Sequence, residues 1–273
     1  MMDPHGRTRF GLPPVDEVVF STQFAPLTAF LTPHYGLLWE RFKDDYPLCQ
    51  EKSPLASIEE QPSGPAVLGI PDVSNSFMHP RLWFLERTGP GLIQVQRSRY
   101  LVNWRRRNPE DEYPGFDRVF RRFQKHLEEF EAFLTEHGLG SLAMQQYELT
   151  YVNIIPQGAG WKTLTDIGQV VPALSWRTNE PIGTLGMPQA FNWEVAFGLP
   201  GNAGRLHVSL NISRRSHDNV PVLRLEFTAR GINSDGSRER IWEWFEGAHI
   251  AVTRGFRELT GDEVQRTIWQ RME

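Results

Sequence analysis

The densest concentration of positive charge in the sequence lies between Arg97 and Lys125. This stretch contains nine Lys and Arg residues against four acidic residues, and Tyr100, Trp104 and Tyr113 lie among them. Basic groups beside aromatic rings suit a phosphate backbone with stacked bases. We therefore expect a contact surface for nucleic acid or an acidic protein, formed by Arg97, Arg99, Trp104, Arg105, Arg106, Arg107, Arg118, Arg121, Arg122 and Lys125.

The helix predicted after this stretch has its charges in an unfavourable order. Its basic residues (Arg118, Arg121, Arg122, Lys125) precede its acidic residues (Glu128, Glu129, Glu131, Glu136). The helix dipole favours acids first, by about 0.3–1 kcal/mol for each surface charge, and like charges four residues apart repel. We expect partners outside the helix: the acidic loop at residues 110–112, another subunit or an anionic ligand. A solvated face with local ion pairs is the alternative.

A second group of polar residues falls on alternating positions of two predicted strands. His207 and Asn211 lie on one strand, and Arg224 and Glu226 lie on the next. Together they include an acid, a base and hydrogen-bond donors, the groups that acid–base catalysis needs. The alternative function is thus an enzyme acting on a small or nucleotide-like substrate, with His249 of the last helix as a further candidate. A solvated sheet face would give the same pattern.

The sequence lacks the motifs that usually identify several classes of enzyme. There is no G-x-S-x-G elbow, no H-E-x-x-H pair and no dinucleotide fingerprint, and Trp161 occupies the glycine position that a phosphate loop would require before Lys162. The eight histidines are scattered and Cys49 is the single cysteine. We expect neither a metal nor a cofactor.

Composition limits the class of protein. The chain has 273 residues, 40% of them hydrophobic, and a formal net charge of -4, so any basic site must be local. The sequence contains no apolar run of about 18 residues and no secretory signal. We expect a cytoplasmic protein without a membrane span.

Hydrophobic periodicity and turn residues predict the elements of the first half, residues 1–156. They are a strand at Val15–Phe24, a helix at 33–45, a proline-rich loop at 47–80 with a short strand near Ala66–Ile70, a hairpin of Arg81–Thr88 and Leu92–Trp104, a helix from Phe116 to Gly138, and a strand at Leu142–Ile155.

The same signals predict the second half, residues 157–273. Its elements are a weak helix at 162–172, strands at Ala190–Phe197, Arg205–Ser213 and Val220–Arg230, a helix at 239–258, and a short last helix behind a capping box of Thr260 and Glu263. This order predicts an α+β fold with largely antiparallel sheets and helices packed on one face. The halves, of similar size, could form two domains or one continuous domain.

Short motifs follow one another along nearly the whole chain. They are Pro13-Pro14-Val15 with Glu17-Val18, Gln94 with Arg99-Tyr100 and Asn103-Trp104, Tyr113-Pro114, the run Glu148–Asn153, and Ala248-His249 with Phe256 and Leu259-Thr260. In this order they resemble a family of sporadically distributed bacterial proteins of unknown function. The resemblance implies a bacterial, cytoplasmic accessory protein without an established activity, and such a distribution would suit defence or toxin–antitoxin loci.

From these observations we expect a non-enzymatic binding or interaction protein that uses the basic stretch. The alternatives are the enzyme described above and a structural subunit of a larger complex, and a homo-oligomer is compatible with each.

Overall fold

A nine-stranded antiparallel sheet forms the centre of the structure, a computed structural model that describes residues 9–60, 80–175, 186, 188–215, 218–232 and 237–272. The first half contains β1 (Arg9–Phe10), β2 (Val15–Phe24), α1 (Thr32–Phe42), β3 (Leu48–Lys52), β4 (Arg81–Leu85), β5 (Gly91–Gln96), β6 (Arg99–Arg105) and α2 (Phe116–Glu136). Counted from β7, which the sequence pattern placed at the end of the first half, the second half contains β7 (Met144–Pro156), α3 (Ile167–Val170), β8 (Asn192–Gly198), β9 (Arg205–Arg214), β10 (Pro221–Ile232), α4 (Arg238–Leu259), α5 (Asp262–Thr267) and β11 (Arg271–Met272).

The strand order shows how the two halves join. It is β3-β4-β5-β6-β2-β7-β10-β9-β8, so the first long strand of each half, β2 or β7, lies at the centre and pairs with its counterpart. From that pair outward, β6, β5 and β4 on one side correspond in chain order to β10, β9 and β8 on the other. The α+β class with antiparallel strands is confirmed, and the halves share one sheet.

Two long amphipathic helices cover one face of this sheet. The buried residues of α2 recur at steps of three and four, and α4 buries an equivalent stripe. Phe20 of β2 lies beneath both helices, with ring centroids 5.4 Å from Phe120, 5.3 Å from Phe123 and 5.5 Å from Phe245. Gly138 follows α2 with φ of 64°, which glycine adopts without strain. This aromatic layer joins α2, α4 and the sheet into one hydrophobic core.

Three predictions about local structure were wrong. The run Leu92–Trp104 is itself a hairpin of β5 and β6, whose turn lacks the usual glycine or asparagine signal. The predicted loop at 47–80 contains the edge strand β3, which pairs with β4; the strand expected near Ala66–Ile70 lies outside the described residues. Thr260 does not cap α5, because its hydroxyl donates to the Phe256 carbonyl at 2.6 Å.

The weak helix predicted at 162–172 is a succession of short turns. It consists of α3 between two 3-10 turns, Leu164–Asp166 and Pro172–Leu174. None of the described helices has the length and apolar content needed to cross a bilayer.

The buried His126 of α2 gives the fold a pH dependence. Its Nε2 lies 3.0 Å from the Tyr46 hydroxyl and its Nδ1 lies 3.0 Å from Oε2 of Glu129. Burial lowers the pKa of His126, and the contact with Glu129 opposes this only in part. The neutral form is therefore favoured in the folded state.

We expect the free energy of unfolding to fall as pH decreases from about 6.5 towards the lowered pKa, because His126 takes up its proton first in the unfolded chain. In the variant His126→Gln this contribution to the slope disappears. Urea unfolding at about pH 7.5 and about pH 5.5 measures it. His137→Gln, at an exposed position one residue beyond α2, serves as control; equal slopes in His126→Gln and the wild type would contradict the assignment.

Candidate functional site

The residues of the predicted basic surface lie in three different environments. In β6 successive side chains point to opposite faces, so Arg99 and Arg105 lie on the face away from the helices and Trp104 lies on the helix face. The four basic residues of α2 lie on the other side of the sheet. The structure therefore does not bring the ten predicted residues together.

Two of the ten are buried, which corrects the predicted surface. Arg99 is 4% exposed, and its Nη1 lies 3.5 Å from Oε2 of Glu148. Trp104 is 2% exposed and packs on Tyr113 at 5.3 Å between ring centroids. Tyr100 is also buried. Tyr100 and Trp104 thus belong to the core, and they form no exposed stacking platform.

The remaining basic residues of β6 and the segment after it contact the protein itself. Arg105 lies over the Trp83 ring at 5.3 Å, and Nη1 of Arg107 donates to the Glu86 carbonyl at 3.0 Å. The backbone N–H of Arg106 donates to the Asp16 carbonyl at 2.7 Å. Arg97 at the β5–β6 turn donates from Nε to the Phe30 carbonyl at 2.8 Å. These contacts stabilise both ends of β6.

The four basic residues of α2 line a shallow cleft of about 1040 Å³, which we call the basic groove. Its lining includes Arg87, Arg118, Arg121, Arg122 and Lys125, against Asp44, Asp45 and Glu86. The cleft runs between the N-terminal half of α2 and the β4–β5 turn. Five basic groups against three acidic ones make it locally positive.

Tertiary contacts explain half of the unusual charge order in α2. Its acidic residues Glu131 and Glu136 form ion pairs with Arg238 of α4 and Arg41 of α1. Near the N-terminus, Nη1 of Arg122 lies 3.0 Å from Oε1 of Glu86. The acids towards the C-terminus are thus stabilised by neighbouring helices, which the sequence pattern could not show.

Arg118 and Arg121 are different, because neither forms an ion pair within the described part of the chain. Both are exposed and line the basic groove. The acidic loop at 110–112 does not approach them as a partner. Its Asp111 accepts the backbone N–H groups of Arg107 and Asn108, at 2.8 and 2.9 Å. Of the three partners expected from the sequence, another subunit and an anionic ligand remain.

The polar face of the second-half sheet carries the predicted catalytic candidates, but they bond to neighbours. Nη1 of Arg224 lies 2.5 Å from Oε2 of Glu226. His207 lies 2.6 Å from Oε2 of Glu60 through its Nε2. Asn211 faces Arg224 across the β9–β10 ladder. These four side chains line none of the clefts described in this section, so an enzyme site at this position gains no support.

An extended segment, residues 53–60, crosses this polar face; we call it the strap. Gln96 bonds both backbone groups of Leu55, accepting from its N–H at 2.9 Å and donating to its carbonyl at 3.1 Å. Gln146 likewise accepts from the Glu60 N–H at 2.8 Å and donates to the Ile58 carbonyl at 2.8 Å. Side-chain amides thus replace strand pairing in holding the strap.

Beneath the strap lies a buried ionic network centred on Glu148. Its Oε1 accepts from Nε of Arg230 at 2.9 Å, and Arg99 approaches from the other side. Glu60 of the strap lies 3.6 Å from Arg230 and 3.4 Å from Arg205. Burial by itself would raise the pKa of Glu148, but Arg99 and Arg230 outweigh it and hold the pKa below its usual value. Glu148 is therefore ionised and structural.

His249, the remaining catalytic candidate, is part of a buried chain of hydrogen bonds. Its Nδ1 lies 3.0 Å from the Tyr151 hydroxyl, which lies 2.8 Å from the Tyr113 hydroxyl. The imidazole stacks on Phe116, with centroids 4.1 Å apart and planes 8° from parallel. The Tyr113–Tyr151–His249 chain joins α4, β7 and the segment before α2.

This chain lies in the wall of a cavity of about 840 Å³, which we call the tyrosine–histidine cavity. The cavity is lined by residues 9–15, 109–117, 151, 153, 249, 252, 253 and 256, together with Arg106, Phe227 and Met272. Sequence reasoning identified His249 alone, because the other polar residues come from segments far apart in the chain.

Fold and sites together define an α+β protein built on a nine-stranded antiparallel sheet, with a basic groove and a separate, partly open cavity. Comparison with models of protein families, with curated proteins and with solved structures finds no match. Within the ranges described, no cluster of three or more His, Cys, Asp or Glu side chains is arranged to hold a metal ion.

We expect Glu148→Ala to lower the free energy of unfolding by about 3–5 kcal/mol, because it leaves Arg99 and Arg230 buried without their shared carboxylate. Glu226→Ala, which breaks a partly exposed pair on the same sheet face, should cost less than about 1 kcal/mol. Urea unfolding at neutral pH measures both. Equal, small losses in the two variants would show that the Glu148 network contributes little to the fold.

Proposed function

We propose that this protein is a non-enzymatic binding protein that holds a polyanionic partner in the basic groove. The observation that supports the proposal is the state of Arg118 and Arg121. Arg118 lies in the first turn of α2, where the helix dipole disfavours a cation, Arg121 lies one turn further on, and neither is compensated by an ion pair within the described residues. A bound anion would compensate both.

The kind of recognition follows from what lines the groove. Guanidinium groups bind phosphate and carboxylate oxygens in bidentate fashion, and three of them lie on consecutive turns of α2. Tyr100 and Trp104 are buried, so base stacking is not available from these residues. The groove therefore suits contacts to a charged backbone, as in duplex nucleic acid, and an acidic protein segment is the alternative partner.

The variant Arg118→Gln/Arg121→Gln tests this proposal, because glutamine preserves helix propensity and removes two charges. For a fluorescent DNA duplex of about 20 base pairs, we expect affinity to fall by about tenfold per arginine, since a hydrogen bond to a charged group contributes about 1.5–3 kcal/mol. The slope of log affinity against log salt should decrease by about 2 between about 50 and about 200 mM salt. Fluorescence anisotropy measures both.

A matched control is available on α4. Arg254 and Arg257 have the same three-residue spacing and are exposed away from the groove. Arg254→Gln/Arg257→Gln should leave affinity and salt slope unchanged. Wild-type protein that binds neither the duplex nor a poly-glutamate peptide at low salt would refute the proposal, and so would equal losses in the two double variants. Binding to the peptide alone would identify an acidic protein as the partner.

A further inference from the structure

We propose that the tyrosine–histidine cavity is a second binding site, for a small and mainly apolar organic molecule that carries no negative charge. The site lies apart from the basic groove and requires different chemistry. Its volume, about 840 Å³, falls within the range of about 300–1000 Å³ that is usual for small-molecule sites.

Apolar side chains form much of the cavity wall. Phe227 and Phe256 line it from the sheet and α4, and Phe10 of β1 lines it from the N-terminal side. Phe10 packs edge-to-face on Phe256, with centroids 5.4 Å apart. Since β1 pairs with β11, the two terminal segments of the described chain close this side of the cavity. An apolar ligand body would be shielded from water there.

The Tyr113–Tyr151–His249 chain supplies oriented polar groups within this wall. Each hydroxyl can donate or accept, and the imidazole has two tautomers, so the chain can run in either direction. When Tyr151 donates to His249, Tyr113 donates to Tyr151; when His249 donates, the order reverses. The chain can thus adjust to a ligand donor or acceptor without any group gaining a net charge.

The charges at the cavity decide the kind of ligand. The lining contains Glu110, Asp111, Glu112 and Asp117, against Arg9 and Arg106. Four carboxylates against two guanidinium groups disfavour an anion, in contrast to the basic groove. The site therefore suits neutral or cationic molecules.

Residues from well-separated segments of the chain meet at this cavity: Pro13, Pro14, Val15, Tyr113, Pro114, Tyr151, Asn153, His249 and Phe256. Apolar packing accounts for Val15 and Phe256. It does not account for the convergence of Tyr113, Tyr151 and His249 on one cavity, because apolar side chains would fill that space without a polar network.

Three probes that share one ring test the proposal: indole, which is neutral, tryptamine, which is cationic, and indole-3-propionate, which is anionic. At about 1 mM and neutral pH, saturation-transfer NMR should show binding of indole and tryptamine to the full chain, with indole-3-propionate at least about tenfold weaker. Such affinities are ordinary for small fragments in mainly apolar sites.

Two substitutions at Thr253 locate the binding. This half-buried residue lines the cavity, and its hydroxyl donates only within α4, to the His249 carbonyl at 2.9 Å and the Ile250 carbonyl at 3.2 Å. Thr253→Phe fills the cavity and should weaken indole binding at least about tenfold, whereas Thr253→Val preserves the volume and should not. Tyr113→Phe removes a hydroxyl from a half-buried ring. It should weaken the binding of tryptamine more than the binding of indole.

The outcomes separate the two sites. Arg118→Gln/Arg121→Gln should bind indole normally, and Thr253→Phe should bind the DNA duplex normally. The cavity proposal is overturned if neither indole nor tryptamine binds, if Thr253→Phe and Tyr113→Phe both bind them as the wild type does, or if the anionic probe binds as well as the cationic one.

Discussion

The pairing of β2 with β7 is the constraint on which the rest of the structure depends. In this register Phe20 lies opposite Leu149 on the helix face, and Ser21 lies opposite Glu148 on the polar face. A slip of one residue would move Glu148 among the aromatic rings and Phe20 beneath the strap. Burying the Glu148 carboxylate among the rings or moving the Phe20 ring to the polar face would be unfavourable, so one register is selected. That register aligns the two halves of the sheet.

The two faces of the sheet are stabilised in different ways. On the helix face, rings from β2, α2 and α4 pack against one another around Phe20. On the other face, Glu148 is enclosed by Arg99 and Arg230, and the strap completes the coverage through Gln96 and Gln146. Buried charges require such complete pairing, because an isolated ion in the interior is strongly unfavourable. The polar residues on this face thus have a structural role, although their sequence pattern resembles that of a catalytic site.

Helix α2 borders both proposed sites. Phe116 and Asp117 in its first turn line the tyrosine–histidine cavity, while Arg118 and Arg121 line the basic groove. Neighbouring residues in a helix point in directions about 100° apart, so one short segment can serve two clefts. The clefts differ in charge, and the core contacts of Phe120 and Phe123 hold the helix between them. This arrangement allows each site to be altered without the other.

The elements that have strong periodicity follow from the sequence alone. The alternation in Val15–Phe24 and the three-and-four spacing after Phe116 predict β2 and α2, because each depends on which side chains a single element buries. The sequence also identified the unfavourable charge order of α2. Three features depend on the folded chain as a whole: the burial of Arg99 and Trp104, the ion pairs of Glu131 and Glu136 with other helices, and the meeting of Tyr113 and Tyr151 with His249. Those contacts join residues far apart in the chain, and local patterns contain no information about which distant segments meet.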